Sequence, residues 1–351
     1  MSEKNGMESL DRLKKEFTET EKVILSRRSV RQFKKEQVPE FMVKRILEAG
    51  RFAPSAGNYQ PWRFIVLRDP DMMNGITDTV VASCRIFSAM TDYRRKGYGW
   101  LRPLIKFITR FRYNDLHPMP FMAIPLMADG KLDLWHGAPT VIIILKDIRG
   151  AGNPDLDCGI AGQNMVLAAH SMGLGTCWVG FAKIALDMHP KWKKRLGISY
   201  PYKFANSLAI GWTRGNPDGM VTRQTRAVDW FENGTLQTVT LGGNSSKSRF
   251  GFLDRFRIPS YNDPEQTEFG IVEIDLEKCS GCGLCAGACA ANALDIVDKK
   301  PRMKKAPENG CAFCGDCVAI CSVGAITMKK PYRFKGFYKT IDQGENSPPR
   351  L

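Results

Sequence analysis

Eight of the chain's 11 cysteines lie between positions 279 and 321, in two runs of the same spacing: Cys279, Cys282, Cys285 and Cys289, then Cys311, Cys314, Cys317 and Cys321. The second run repeats the first at an offset of 32, and each copy leads into a short strand-like stretch, Ala293 to Ile296 or Ala325 to Met328. Two copies make one small domain. The N-terminus is charged from its third residue and shows no apolar stretch with a small-residue cleavage site, so a cytoplasmic chain with reduced thiols is expected. The eight cysteines then read as ligands rather than disulfides. Zinc sites usually pair two C-x2-C knuckles across a dozen or more residues, whereas three cysteines at successive x2 spacings suit three corners of an iron-sulfur cubane.

Residues 270–330 resemble a bacterial-type two-cluster [4Fe-4S] ferredoxin domain on these runs. The resemblance implies crossed ligation: Cys279, Cys282, Cys285 and Cys321 on one cluster, and Cys311, Cys314, Cys317 and Cys289 on the other. Ala290 and Ser322 stand where that family carries proline after the fourth cysteine.

The chain as a whole is too long to be one small module, since its 351 residues exceed an ordinary single core. Its longest apolar runs, such as Val141 to Leu145, fall far short of the ~18 residues of a membrane span. Lys and Arg number 51 against 36 Asp and Glu, and +14 of the formal +15 falls within residues 1–250. An anionic ligand is therefore expected in the first module. Residues 1–240 alternate β-branched apolar runs (Phe64 to Leu67, Val141 to Leu145, Leu208 to Ile210) with helical periods, a mixed α+β pattern. After Pro39-Glu40, Val43, Ile46, Leu47, Gly50 and Ala53 mark one core-facing helical stripe. A helix from about Leu156 to Met172 is apolar or small on nearly every side and is expected to be buried all round, in a core or a subunit interface. Gly242 to Ser248 has a linker's composition. The division that follows is a first domain over 1–240, a linker over 241–269, the cysteine domain over 270–330 and a tail over 331–351.

Arg27-Arg28-Ser29-Val30-Arg31-Gln32-Phe33 gathers three guanidiniums and a hydroxyl at the end of a short predicted helix, a set able to hold phosphate; a basic run alone is more often a solvated face. Ala53-Pro54-Ser55-Ala56-Gly57-Asn58-Tyr59-Gln60-Pro61-Trp62 supplies a loop of small residues that a flat ring can approach closely. The pair resembles the signature of the FMN-dependent nitroreductase family. Further matches are Gly137-Ala138-Pro139, a helix with Asp157 and Asn164, the stretch Gly173 to Phe181, and Ala209 to Trp212, so the resemblance covers most of residues 20–230. It implies an α+β homodimer with one FMN in each of two interface sites. Arg27, Ser29 and Arg31 would hold the phosphate and ribityl chain, with Arg28 adding backbone contacts. Pro54, Ser55, Ala56 and Asn58 would come from the other subunit, Gly180 would present a backbone N–H to the flavin, and Arg223 or Arg226 would add a second phosphate contact.

Gly173-x-Gly175 lacks the third glycine of a dinucleotide-binding fingerprint. His117, His136, His170 and His189 show no ligand spacing and read as structural or surface residues, Cys158 and Cys177 as small hydrophobes, Met165 and Met172 as core filling. Residues 85–112 form a basic amphipathic stretch, read as a lid over the flavin ahead of a membrane-surface or acidic-protein contact; no recognition module accompanies it, so nucleic acid is not expected. The expected activity is a flavin- and iron-sulfur-dependent reduction of a small organic acceptor by a ferredoxin-type donor, with no acid or base side chain required. The alternatives are an electron relay to a protein partner, and NAD(P)H oxidation with export through the clusters.

Overall fold

The computed structural model describes residues 17–91, 100, 104, 118–150, 152–215, 223–224, 227–240, 267–305, 308–311, 313–330, 333–334 and 346–347. The helices are α1 (Glu19–Ser26), α2 (Glu40–Arg51), α3 (Pro70–Thr91), α4 (Pro118–Ala128), α5 (Pro154–Ser171), α6 (Ala182–Met188), α7 (Pro190–Arg195), α8 (Leu284–Ala288) and α9 (Asp316–Ile320). The chain divides into two compact units, one of Arg27–Asp92 with Ala123–Pro217, the other holding the remainder.

The first unit is built on an antiparallel sheet in the order β1 (Trp62–Leu67), β2 (Thr140–Asp147), β4 (Tyr202–Trp212), β3 (Leu174–Trp178). Strand β2 is buried on both faces because successive side chains point to opposite sides. Val141, Ile143 and Leu145 enter one cluster with Ile76 and Val80 of α3 and Ala185 and Leu186 of α6. Ile142 and Ile144 enter the other with Val43 and Ile46 of α2 and Met165 and Val166 of α5. A continuous apolar run, rather than an alternating one, is the mark of such a doubly covered strand.

The expected α2 stripe is present: Val43, Ile46 and Gly50 are buried, Leu47 packs at its edge, and Ala53 is buried just past the helix end. A Cβ on Gly50 would lie 2.3 Å from Met165 Cε, so glycine lets α2 and α5 approach closely. Helix α5 is covered on one side only by this chain. It buries Cys158, Ala161, Met165, Val166 and Ala169 on one side, while Leu156 is 58% exposed and Leu167 and Ala168 are only partly covered. The sheet and α2 supply that cover.

In the second unit, β9 (Ile271–Ile274) pairs with β12 (Ile326–Lys330), and β10 (Leu294–Val297) forms a hairpin with β11 (Lys300–Met303). The two strand-like stretches of the cysteine repeat are thus β10 and β12. Strands β6 (Ala227–Glu232) and β7 (Thr235–Thr240) close through Asn233-Gly234, both at positive φ, which suits a two-residue hairpin turn. Within the stretch read as a linker, β8 (Thr267–Glu268) pairs with β13 (Arg333–Phe334) of the C-terminal stretch, and β14 (Asn346–Ser347) pairs with β5 (Arg223–Gln224). Ladders two residues long carry no periodicity that a sequence could display. The rest of 241–266, and residues 92–99, 101–103 and 105–117 of the basic stretch with His117, lie outside the described residues.

Candidate functional site

The cysteine runs are shaped by backbone first. Gly283 and Gly315, one repeat apart, take left-handed φ of 72° and 81° and open α8 and α9, which bury Cys285 and Cys317. Gly281 is also left-handed, and a Cβ there would lie 2.7 Å from the Lys299 carbonyl oxygen. Cys289 and Cys321 end their helices with nearly equal dihedrals, φ −73° and ψ 97° against φ −75° and ψ 102°. That is the extended conformation a following proline would impose, kept here although Ala290 and Ser322 follow. Each of these sulfurs accepts a backbone N–H at 3.2 Å, from Ala293 and Ala325 respectively.

Cys279, Cys282 and Cys285 line a cavity with Cys321 of the other run, floored by Leu284, Ala325 and Ile326. The thiols ring this space rather than meeting at a point: among the described residues no three Cys, His, Asp or Glu gather tightly enough for a single metal ion. Burial pushes the Cys285 thiol up to about 11, and Cys282, Cys321 and Cys279 add to the shift. Burial likewise pushes Cys311 up to about 11, with Cys289 adding to it, and raises Cys317, where Cys289 and Cys311 are the next contributors. Thiols so placed ionise at a cost unless a cationic centre binds them, and soft thiolates arranged around an apolar cavity fit an iron-sulfur cluster.

In the other unit the basic run is stitched to the sheet edge. Ser29 bridges Thr176 of β3, Val30 N–H donates to the Thr176 carbonyl at 2.8 Å, Phe33 bridges Thr213, and Lys34 N–H donates to the Trp212 carbonyl at 2.8 Å. Arg28 is only 5% exposed, and its guanidinium donates to the Arg27 carbonyl at 2.8 Å, so the run is not a solvated face. The loop read as small and tight holds a 3₁₀ turn over Ala56–Asn58, and Ser55 Oγ accepts from Gln60 N–H at 2.9 Å. Pro54, Ala56 and Asn58 are exposed and Ser55 is half-buried. Gly180, just past β3, is exposed; a Cβ there would meet only Asn206 Oδ1, at 3.8 Å. An open backbone surface suits close approach of a flat ring, and guanidiniums carried on a run fixed to the sheet suit a phosphate. The backbone of Arg223 lies in β5, and Arg226 lies outside the described residues.

Over residues 24–212 the chain matches the Nitroreductase family. It belongs to that family. Residues 278–325 match the 4Fe-4S dicluster domain, so one chain joins an oxidoreductase-family core to an iron-sulfur module. A protein of Archaeoglobus fulgidus provisionally named NADH dehydrogenase/NAD(P)H nitroreductase is 28% identical over 164 residues, 45% of this chain and 66% of that one. A counterpart with the same name in Methanothermobacter thermautotrophicus is 29% identical over 45% of this chain and 58% of its own length, so the chain spans less than two thirds of both relatives. The 4-nitrobenzoate reductase of a Nocardioides species is 28% identical over 54% of this chain and 78% of that protein. The solved FMN-bound nitroreductase of Desulfitobacterium hafniense superposes with a TM-score of 0.43 at 28% identity, over 57% of this chain and 92% of that one. No helix among the described residues is long and apolar enough to cross a membrane.

His136, read above as a structural or surface residue, lies in a tightly held turn. The turn that carries it is pinned by Gly137 N–H donating to Asp133 Oδ2 at 2.6 Å and by Trp135 Nε1 donating to the Met73 carbonyl at 3.2 Å. His136 itself sits at φ 57°, sparsely populated for a non-glycine residue. Burial first, then the positive charge of Arg31, pushes its imidazole down to about 3. A neutral imidazole thus stands beside the basic run, which no spacing rule signals. Cys158 and Met165 are buried as expected, and burial pushes the Cys158 thiol up to about 12, the behaviour of an inert small hydrophobe. Gly175 packs against Val30 and Thr213, a close-packing role in place of a dinucleotide fingerprint.

Proposed function

We propose that the chain is an FMN- and iron-sulfur-dependent oxidoreductase that takes low-potential electrons from a ferredoxin-type donor through two [4Fe-4S] clusters and delivers them at FMN to a small organic acceptor. Nitroaromatics, quinones and activated alkenes are the acceptor classes. The observation that carries this reading is the joining of a nitroreductase-family core and a dicluster domain in one chain. Clusters move electrons singly and most organic reductions need two; FMN, when bound, supplies that conversion.

The chain's own residues would divide the work as follows. Cys279, Cys282, Cys285 and Cys321 would hold one cluster, a division supported by the cavity they share, and Cys311, Cys314, Cys317 and Cys289 the other. Arg27, Ser29 and Arg31, fastened to the β3–β4 edge, would grip the FMN phosphate and ribityl chain, with Arg28 holding the run's backbone in place. Gly180 would offer its N–H across the open surface noted above, and Arg223 or Arg226 would add charge at the phosphate. Pro54, Ser55, Ala56 and Asn58 would reach the flavin of a second copy. The exposed Phe52 and Tyr59 that flank this loop in sequence, and the uncovered side of α5, support a homodimer.

Anaerobic stopped-flow mixing tests the reading: a reduced ferredoxin-type donor should bleach the flavin absorbance, and an acceptor added second should restore it. The names of the archaeal relatives favour a second reading, in which NAD(P)H reduces FMN and the clusters export the electrons. Immediate bleaching by NADH, with slow or no bleaching by the ferredoxin-type donor, would establish that direction instead.

A further inference from the structure

The two cysteine runs match at an offset of 32, so each position in one has a counterpart in the other, and between the first two cysteines Gly281 answers to Phe313. Both take the left-handed conformation, at φ 75° and 56°. Glycine meets no steric obstacle there, whereas a bulky residue is an outlier that persists only where its surroundings hold it. The surroundings differ. A Cβ on Gly281 would lie 2.7 Å from the Lys299 carbonyl oxygen, at the β10–β11 turn, so a side chain has no room. Phe313 is instead buried, in one cluster with Phe269, Ala291, Ala293 and Cys311, and Cys289 packs against that cluster. Gly270 N–H donates to the Cys311 carbonyl at 2.8 Å, and a Cβ on Gly270 would lie 3.1 Å from Cys311 Sγ and 3.2 Å from Phe313 Cβ, so the backbone after Phe269 closes tightly on both. The contrast continues along the runs: Cys311, Gly315 and Ala319 are buried, whereas Cys279, Gly283 and Gly287 at the same positions are not. Cys282 and Cys314 are both exposed and cancel in the comparison.

Reduction of a cluster adds one electron and moves no bond or proton. The added negative charge is better stabilised where water reaches the thiolates, so excluding water lowers a cluster's potential. We propose that Phe313 is the seal of the second-run site: its ring, buried with Cys311, keeps water from that centre and holds its potential down, while the first-run site, with glycine at the same position, is the more hydrated of the two. The seal accounts for an aromatic residue at a position whose backbone favours glycine. Phe313 is thus a positioning residue that acts on the centre through the solvent it excludes. The inference rests on the two-cluster reading above. It does not depend on which of Cys289 and Cys321 completes the second-run site, because it is Cys311 that Phe313 is buried with.

The test is potentiometric electron paramagnetic resonance on the full-length, anaerobically purified protein with dithionite as reductant, joined to electron-nuclear double resonance after brief exchange into D2O. Cys314→Ser, which replaces a second-run ligand, marks that run's reduction step by displacing it. In the wild type the signal of the marked step should carry weaker deuteron coupling than the signal of the other. Phe313→Gly, which installs the counterpart residue on a backbone that suits it, should strengthen that coupling and raise the marked step alone, by about tenfold in the one-electron equilibrium, which is ~59 mV. Phe313→Tyr, which keeps the ring, should leave coupling and potential in place. If Phe313→Gly prevents assembly, Phe313→Asn takes its place with the same expected changes, since asparagine also accepts the left-handed region. Equal deuteron coupling at the two wild-type centres, movement of the unmarked step, or no movement in the fully loaded variant overturns the proposal and leaves the two-cluster reading standing; the wild-type comparison decides even where no variant assembles. Wild-type protein carrying only one [4Fe-4S] centre overturns that reading itself.

Discussion

Ile142, Ile143, Ile144 and Leu145 are wholly buried in the middle of a four-stranded sheet with helices on both faces, and the largest fully buried side chains among the described residues belong to the same two clusters. The dicluster module has nothing comparable. Its buried apolar residues are a few larger ones, Phe269, Val272, Leu294, Phe313, Ile320 and Ile326, set among alanines and the cysteines themselves. One region is held by apolar burial, which scales with the area removed from water; the other is too short for that and must draw its stability from the metal its thiols bind. The two regions should therefore fail under different insults.

Stripping iron with a chelator under reducing conditions should break the comparison most visibly. Amide protection in β9 to β12 should collapse toward that of unfolded chain while β2 and β4 keep theirs, read by hydrogen exchange. Equal loss in both regions would show that the family core also depends on the clusters. Next in size, Ile143→Ala should destabilise the family core by about 2–5 kcal/mol, through lost burial and the cavity left behind. The expected readout is a lower urea midpoint for the core transition at unchanged iron content.

Arg31→Ala acts at the ligand level: on the proposed reading it removes a charge-assisted phosphate contact of about 1.5–3 kcal/mol from a site whose scaffold is already folded. FMN affinity should fall tenfold or more with the thermal transition of the apoprotein barely moved; full flavin retention through gel filtration would contradict the role given to Arg31. The smallest effect concerns His136. Its folded imidazole stays neutral to about pH 3, whereas an unfolded histidine takes up a proton near ~6.5. Stability is therefore fully present above ~6.5 and drains away as pH falls from there toward 3. Allowing for solvent around the ring, the loss is on the order of 1–2 kcal/mol. His136→Asn, which tolerates the left-handed backbone, should flatten that slope in pH-dependent unfolding; an unchanged slope would assign the acid sensitivity elsewhere.

Local patterns carried far in the family core because its geometry is periodic. The runs Phe64 to Leu67, Val141 to Leu145 and Leu208 to Ile210 are β1, β2 and β4, and the α2 stripe faces the core as its spacing demands. Helix α5 was harder to read, since an apolar circumference says that burial is wanted without saying what supplies it. The paired dipeptides β5 with β14 and β8 with β13 left no trace, because two residues hold no period and their partners lie more than sixty positions away.

The chemistry was legible in residue type and spacing: eight thiols at separations that suit an iron-sulfur cubane better than zinc, a basic run and small-residue loop suited to a phosphorylated ring, and the order of the two modules. Those features reside in residue type and separation, which the chain carries whether or not it is folded. Only folding settled which thiols share a cavity, that Arg28 is buried while Gly180 faces open space, and that His136 stands beside Arg31. These depend on through-space distance and on the exclusion of water, and both come into being only when segments far apart in the chain pack together.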